Sequence, residues 1–171
     1  MTAMEDLPHH LAAAALLITD QGGRVLMVAT DYRDTLVLPG GIIEPDEPPA
    51  AAAEREVREE TGLHRRAGRL LVVQHIPPRP GWESVLQFVF DTEPVGAGAD
   101  LVPQPGEVRE LIWLDSEEAT QRSNPPGAVR LRAALAARRY RPVSSSSSRS
   151  AAAAGDSSGS MIPPGSTRVS R

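Results

Sequence analysis

Short apolar runs alternate with turn residues along the first quarter of the chain. The runs at 12–19 and 24–29 flank the sequence DQGG, whose glycines suit a tight turn, so the pattern predicts a β-hairpin. The segment TLVLPGG at 35–41 then predicts a short strand that ends at Pro39. The two glycines after it permit close approaches that side chains would prevent, either for a ligand or for the turn alone.

Three later runs rich in β-branched and aromatic residues predict further strands. The runs at 70–75 and 84–90 are joined by a proline-rich loop and are expected at the centre of a sheet, mostly buried on both faces. A long polar loop follows, and loops of this length are usually functional or mobile. The run VRELIWL at 108–114 predicts the next strand.

Helical patterns lie between and after these strands. A first helix is expected from near Asp46 or Glu47 to Thr61, with Gly62 as the stop residue. The sequence DSEEATQR predicts a second, short helix, and 128–140 predicts a third. The apolar positions of the third helix are Val129, Leu131 and Leu135.

This order of elements predicts a mixed α/β fold, of the α+β type, with a helix packed on each side of a mixed β-sheet. The chain has 171 residues, enough for one ordinary domain, which we place at 8–142 after a flexible segment at 1–7. From 143 to 171 the sequence is mostly Ser, Ala, Gly and Pro, so it cannot bury a core and is expected to be disordered.

Composition narrows the class of protein. The formal charge of −4 disfavours a nucleic-acid partner, and no run approaches the roughly 18 apolar residues of a membrane span. The chain has no cysteine, which excludes thiolate chemistry, and all 18 of its basic residues are arginine. No secretory apolar segment is recognisable near the start, so a cytoplasmic location is expected.

The first helix carries an unusual concentration of acidic residues. On a helix of 3.6 residues per turn, Glu56 and Glu60 stand about 40° apart and Glu59 about 60° to the other side, so all three share one face. Favourable pairs such as Arg55 with Glu59 explain only part of this pattern, because like charges at these spacings destabilise a helix. A hard divalent cation such as Mg²⁺, which binds carboxylate oxygens and substrate phosphates, would remove the repulsion.

The same segment resembles a known family signature. Gly41, then five residues, Glu47, seven residues and the sequence REVREETGL at 55–63 match every specified position of the Nudix box, GX5EX7REUXEEXGU with U aliphatic. The resemblance implies an α/β/α sandwich that binds Mg²⁺ or Mn²⁺ and hydrolyses a nucleoside diphosphate linked to another group, through a metal-activated water. Asp46 departs from the glycine common at that position, although Asp tolerates left-handed torsions.

Carried over by position, the resemblance assigns the box residues. Glu56, Glu59 and Glu60 would bind the metal together with the Gly40 carbonyl. Arg55 would orient Glu56 in catalysis, and Glu47 would hold the loop against the helix. The general base stays open among Glu56, Glu83, Asp100 and Glu107, and we favour Glu107 because it immediately precedes a strand.

Residues outside the box carry the substrate preference. Trp82 is a candidate for stacking on a nucleobase, and Arg79 for binding a phosphate. Arg33, Arg65 and Arg66 have the same chemistry as Arg79, but arginine is the only basic residue of this chain, and all four are explained more simply as surface charges. Pro78 matches a proline of the ADP-ribose pyrophosphatase branch, so ADP-ribose-like substrates lead slightly over nucleoside triphosphates.

One alternative to an enzyme stays open at this point. The chain could be a Nudix-fold module that senses a nucleotide without cleaving it, although such proteins commonly lose a box glutamate and this one keeps all of them. The expected partner is a small-molecule nucleotide, with a homodimer neither required nor excluded.

Overall fold

The computed structural model describes residues 9–140, and the predictions for 1–7 and for the tail lie outside this range. Six strands and three helices follow one another within it. Their order is β1 (Leu11–Leu17), β2 (Val25–Thr30), β3 (Gly40–Ile42), α1 (Pro49–Thr61), β4 (Leu70–Ile76), β5 (Val85–Asp91), β6 (Val108–Leu114), α2 (Ser116–Gln121) and α3 (Pro125–Arg139).

The strands form two sheets. The larger has the order β3-β1-β5-β4, in which β1 and β5 run parallel and the other neighbours run antiparallel. The smaller is the antiparallel pair of β2 and β6. The mixed sheet confirms the predicted fold class.

Strand β1 separates two layers of core because successive side chains point to opposite faces. On one face, Ala14 and Leu16 pack in a cluster with Ala53 and Val57 of α1. On the other face, the side chains of Ala15 and Leu17 join a second cluster that includes residues of α3. A helix therefore covers each side of the sheet, as predicted. No helix within 9–140 combines the length and apolarity needed to cross a bilayer.

The predicted hairpin is confirmed only around its turn, where Thr19 and Val25 also form an antiparallel bridge, and it is wrong further along both strands. The backbone N–H of Asp20 donates to the carbonyl of Arg24 at 2.9 Å, and that of Gly23 donates to the carbonyl of Asp20 at 3.1 Å. Beyond the turn the strands diverge into different sheets, because β3 and β5 occupy both edges of β1 and leave β2 to pair with β6.

The strand expected to end at Pro39 was also placed wrongly. Leu36 and Val37 form only isolated bridges, and the strand β3 comes after the proline, where Gly40 pairs with Ala15 of β1. A side chain on Gly40 would overlap the β1 backbone, and its φ of +146° also favours glycine. This glycine therefore serves the strand pairing.

Three smaller expectations also need correction. Strand β4 is an edge strand with Leu70 45% and Val73 51% exposed, so it does not lie at the sheet centre. Val129 is exposed on α3, whereas Leu131 is buried as expected. Helix α1 begins at Pro49, later than predicted, because Asp46 adopts a left-handed φ of +64° in the preceding turn.

Candidate functional site

Arg55 connects the loop before α1 to the helix itself. Its guanidinium donates to both carboxylate oxygens of Glu47, each at 3.0 Å, and to the carbonyl of Ile42 at 3.1 Å. It also donates to Glu56 at 2.9 Å and to Glu59 at 3.1 Å. These acceptors raise the pKa of Arg55, with the hydrogen bonds to Glu47 as the largest cause. The predicted loop-holding contact of Glu47 and the orienting contact to Glu56 are both present.

Glu60 is a buried carboxylate, only 4% exposed. Its Oε2 accepts a hydrogen bond from the Gly40 backbone N–H at 2.8 Å, which stabilises the charged form. Burial, with the charges of Glu56 and Glu107 adding to its effect, nevertheless raises the pKa of Glu60 to about 8 against that hydrogen bond. A neighbouring cation would reverse this balance.

The side chain of Glu56 lies against Gly41, which follows Gly40 in β3. A Cβ atom on Gly41 would overlap the Glu56 carboxylate, so the glycine makes room for it. Burial raises the pKa of Glu56, Arg55 opposes this, and the charges of Glu59 and Glu107 add to the increase. The carboxylate is therefore held close to other acids in a poorly hydrated position.

These acids line a cleft with a volume of about 690 Å³, which is within the usual range for a small-molecule site. Glu56, Glu60 and Glu107, here called the acidic cluster, contribute to its wall together with Gly40 and Gly41. Glu107 immediately precedes β6, far along the chain from α1, so only the tertiary fold brings it to the other two.

Other parts of the cleft wall are basic and aromatic. Trp82 is 53% exposed and Tyr32 63% exposed, and both line the cleft. The guanidinium carbon of Arg79 lies 5.3 Å from the centre of the Trp82 ring, a cation–π geometry that presents the ring and the charge together.

The structure brings most, but not all, of the sequence-predicted site residues to this cleft. Gly40, Glu56, Glu60, Arg79, Trp82, Glu83 and Glu107 line it. Glu59 does not; its side chain is 42% exposed and bound to Arg55. Asp100, Arg65 and Arg66 also lie elsewhere, and Pro77, not Pro78, contributes to the wall.

Sequence reasoning missed Tyr32 and Arg130. Tyr32 lies in a loop whose composition gives no functional signal. Arg130 was indistinguishable from the surface arginines of α3 until the fold showed which of them faces inward.

The donor set of the cleft fits a hard divalent cation in chemistry. Carboxylates and a nearby backbone carbonyl are the ligands that Mg²⁺ and Mn²⁺ prefer, and the pKa values of Glu56 and Glu60 are raised first by burial and then by neighbouring negative charge. Among residues 9–140, however, no three His, Cys, Asp or Glu side chains stand in an arrangement ready to hold a metal. Arg55 occupies one oxygen of Glu56 and one of Glu59, so metal binding would require these side chains to readjust.

Comparison with known proteins gives a consistent assignment. A family model described as the NUDIX domain matches residues 8–137. A "MutT-like protein" of Streptomyces ambofaciens is 30% identical over 128 residues, 75% of this chain and 79% of that protein. A "CMP-5'-(N-acetyl-N-hydroxy-3-aminopropyl)phosphonate hydrolase" of Streptomyces rubellomurinus is 32% identical over 131 residues, 68% of this chain and 59% of that protein.

Solved structures agree at the level of the fold. The crystal structure of a MutT protein from Methanosarcina mazei Go1 superposes with a TM-score of 0.64, covering 78% of this chain and 96% of that one at 24% sequence identity. At this identity the likeness is one of architecture, and the site chemistry depends on the residues described above.

Proposed function

We propose, since the chain belongs to the Nudix hydrolase family, that it cleaves the diphosphate linkage of a nucleoside diphosphate joined to another group, with Mg²⁺ or Mn²⁺ as cofactor. The observation that carries the proposal is the convergence of Glu56, Glu60 and Glu107 on one cleft of ligand size. The relative from Streptomyces rubellomurinus, whose name describes a hydrolase of a CMP-linked phosphonate, supports a substrate of this general type.

The metal would be held by Glu56 and Glu60, with the Gly40 carbonyl and Glu59 as further candidate ligands. When bound, the cation would polarise a phosphoryl oxygen and lower the pKa of a water molecule. Glu59 would reach the cation only by leaving Arg55, because its carboxylate now lies on the exposed side of α1. Arg55 holds Glu56 in place through the hydrogen bond at 2.9 Å.

The reaction is the addition of water across a phosphoric anhydride. The water oxygen forms a bond to one phosphorus, the bond from that phosphorus to the bridging oxygen breaks, and the second phosphate leaves with the bridging oxygen. Glu107 is our choice for the group that accepts the proton, because it lines the same cleft as Glu56 and Glu60. The products are a nucleoside monophosphate and the phosphorylated partner group, or pyrophosphate from a triphosphate.

Trp82 and Arg79 are proposed to bind the nucleotide portion. Trp82 is exposed at the cleft and its ring is free to take a stacked base on one face while Arg79 lies over it. The partial exposure of the ring suits a group that is covered only when substrate binds. A nucleobase is therefore a chemically reasonable occupant of this part of the cleft.

A panel of nucleotides tests the proposal. The full chain is incubated with ADP-ribose, nucleotide sugars, nucleoside triphosphates and dinucleoside polyphosphates in Mg²⁺, in Mn²⁺ and in EDTA. Release of nucleoside monophosphate is then measured. We expect metal-dependent hydrolysis of at least one member, and about a hundredfold or greater loss of kcat in Glu56→Gln.

The matched control is Glu54→Gln on the same helix. Glu54 accepts a hydrogen bond from the Ala67 N–H at 2.9 Å and lies outside the acidic cluster, so glutamine keeps the acceptor and activity should be retained. Full activity in Glu56→Gln would contradict the assignment of the site. If no substrate is hydrolysed but nucleotide binding is measurable, the sensing module is favoured instead.

A further inference from the structure

Two arginines lie together in the cleft wall, separate from Arg55. Arg33 comes from the loop after β2, and Arg130 comes from α3. The two guanidinium groups are close enough for the charge of Arg33 to lower the pKa of Arg130, after the larger effect of burial. We call them the arginine pair. Arg130 is partly buried, whereas Arg33 is exposed, so the cost of burying a positive charge falls on Arg130.

Arg130 is held in place by neutral groups. Its Nη1 donates to Gln74 Oε1 at 2.7 Å, and Gln74 Nε2 donates in turn to the carbonyl of Pro126 at 3.2 Å. This fixes the orientation of the guanidinium but supplies no opposite charge. Within residues 9–140, neither member of the arginine pair makes an ion pair with a carboxylate.

Two other partly buried arginines of this chain have carboxylate partners. Arg138, whose side chain is 20% exposed, pairs with Asp91 at 3.0 Å, and Arg55 is surrounded by three glutamates. Burying a charge without a counter-charge is costly, so a compensating group is expected at Arg130, with Arg33 beside it on the same cleft wall. Because the pair lines the cleft, that group can come from a ligand.

We propose that Arg33 and Arg130 form an anion subsite for a phosphate group of the substrate that lies outside the cleaved diphosphate linkage. A guanidinium presents a planar fork of donors that matches phosphate oxygens, and an oriented fork loses less entropy on binding. Gln74 acts as a positioning residue for Arg130. The inference rests on the proposed function for its assignment of the attacked phosphate to the acidic cluster.

The subsite narrows the class of substrate. A nucleoside diphosphate joined to a neutral sugar has only the two phosphates of the cleaved linkage. A substrate with an additional phosphate, such as a nucleoside triphosphate, supplies one more anionic group for the arginine pair. We therefore expect a preference for the additionally phosphorylated substrate, in contrast to the slight preference for ADP-ribose drawn from Pro78.

Anion binding without metal tests the subsite independently of catalysis. Inorganic pyrophosphate is titrated calorimetrically into the full chain in EDTA, for wild type, Arg130→Gln and Arg132→Gln. Arg132 lies on α3 as well, but it is exposed and outside this cleft. We expect about a tenfold larger dissociation constant in Arg130→Gln and no change in Arg132→Gln, because the loss of one charge-assisted contact weakens binding by about that factor.

A second variant and thermal melts distinguish a loss of anion binding from a loss of folded structure. Gln74→Ala keeps the Arg130 charge but releases its guanidinium, so pyrophosphate should bind more weakly than to wild type and more tightly than to Arg130→Gln. Thermal midpoints measured without anion establish that each variant is folded. Wild-type affinity for pyrophosphate in a folded Arg130→Gln variant would overturn the subsite.

Kinetics separate this inference from the proposed function. In Arg130→Gln, KM for ATP should rise about tenfold with little change in kcat, while kcat/KM for ADP-ribose should stay within about twofold of wild type. Equal losses on both substrates would overturn the inferred substrate class. If no nucleotide is hydrolysed but pyrophosphate binding still depends on Arg130, the proposed function fails and the subsite stands.

Discussion

Individual residues of the cleft are arranged so that like charges lie near each other. Burial raises the pKa of Glu56 and of Glu60, with neighbouring glutamate charges adding to the effect, and burial followed by the charge of Arg33 lowers the pKa of Arg130. Arg55 neutralises part of the negative charge, but it contacts Glu56 and Glu59 and not Glu60. The remaining charges are what a metal and a polyanionic substrate would complement.

Gly41 allows a direct test of how closely Glu56 must be positioned. In Gly41→Ala the added methyl group would displace the Glu56 carboxylate, which is the end of a flexible side chain, so the fold should survive. We expect kcat to fall by about a hundredfold, as for other displacements of roughly 1 Å at reacting groups. Steady-state kinetics and a thermal melt measure the two effects.

Gly96→Ala is the matched control for this substitution. The nearest atom to a Cβ at Gly96 is the Gln21 side-chain nitrogen at 4.0 Å, so nothing has to move. It should leave kcat unchanged. An equal loss in both glycine variants would indicate a general loss of structure and not a displaced carboxylate.

The raised pKa of Glu60 predicts that the stability of the metal-free protein depends on pH. Its folded pKa of about 8 lies above its ordinary value of 4.5, so the folded state binds the proton more tightly than the unfolded state. The resulting stabilisation is complete below pH 4.5 and is lost as the pH rises through about 8. Glu60→Gln cannot lose a proton, and its side-chain oxygen can still accept from Gly40.

We therefore expect Glu60→Gln, in EDTA at pH 9, to melt about 5 °C or more above wild type. The difference should shrink as the pH is lowered towards 5. Differential scanning fluorimetry across this range measures it. A difference that is constant with pH would show that Glu60 does not titrate in this window.

At the scale of elements, α1 and α3 each deliver charged residues to the cleft while packing on opposite faces of the sheet. Helix α1 ends at Gly62, whose φ of +73° is the left-handed stop that the sequence predicted. Helix α3 begins at Pro125 and is capped by Asn124, whose side chain accepts from the Gly127 N–H at 2.8 Å. The caps therefore define where each helix starts or stops relative to the site.

The two helix starts after β6 offer a contrast in capping. Asn124 caps α3 through its side chain, whereas Asp115, at the start of α2, makes no such hydrogen bond. Asn124→Ala should lower the free energy of unfolding by about 1 kcal/mol, and Asp115→Ala by less. Urea denaturation followed by circular dichroism compares them, and a larger loss in Asp115→Ala would contradict this account of the two caps.

At the scale of the whole molecule, the serine-rich segment past 143 is expected to contribute little. Its composition offers almost no apolar surface to bury. Removal of 144–171 should leave kcat/KM unchanged and shift the thermal midpoint by no more than about 1 °C. A large loss of activity or stability in the truncated chain would show that this segment docks on the domain.

The sequence alone specified those features that depend on local spacing. The shared face of Glu56 and Glu60, the glycine stop of α1 and the extent of β6 follow from patterns of a few residues, and the match to the Nudix box is a resemblance read at the same local scale. These features were sufficient to assign the family and most residues of the acidic cluster.

Only the tertiary structure decided which distant segments meet. In the structure β1 and β2 lie in different sheets, and the short strand follows Pro39 where the sequence predicted it before the proline. Glu107 and Arg130 line the same cleft as Glu56. Strand pairing is a competition among all edges of the sheet, and the inward orientation of an arginine depends on what packs around its helix. Neither strand pairing nor the orientation of an arginine is determined by the neighbouring residues in the sequence. The sequence therefore predicted the chemistry of the site but not the shape of the substrate cleft.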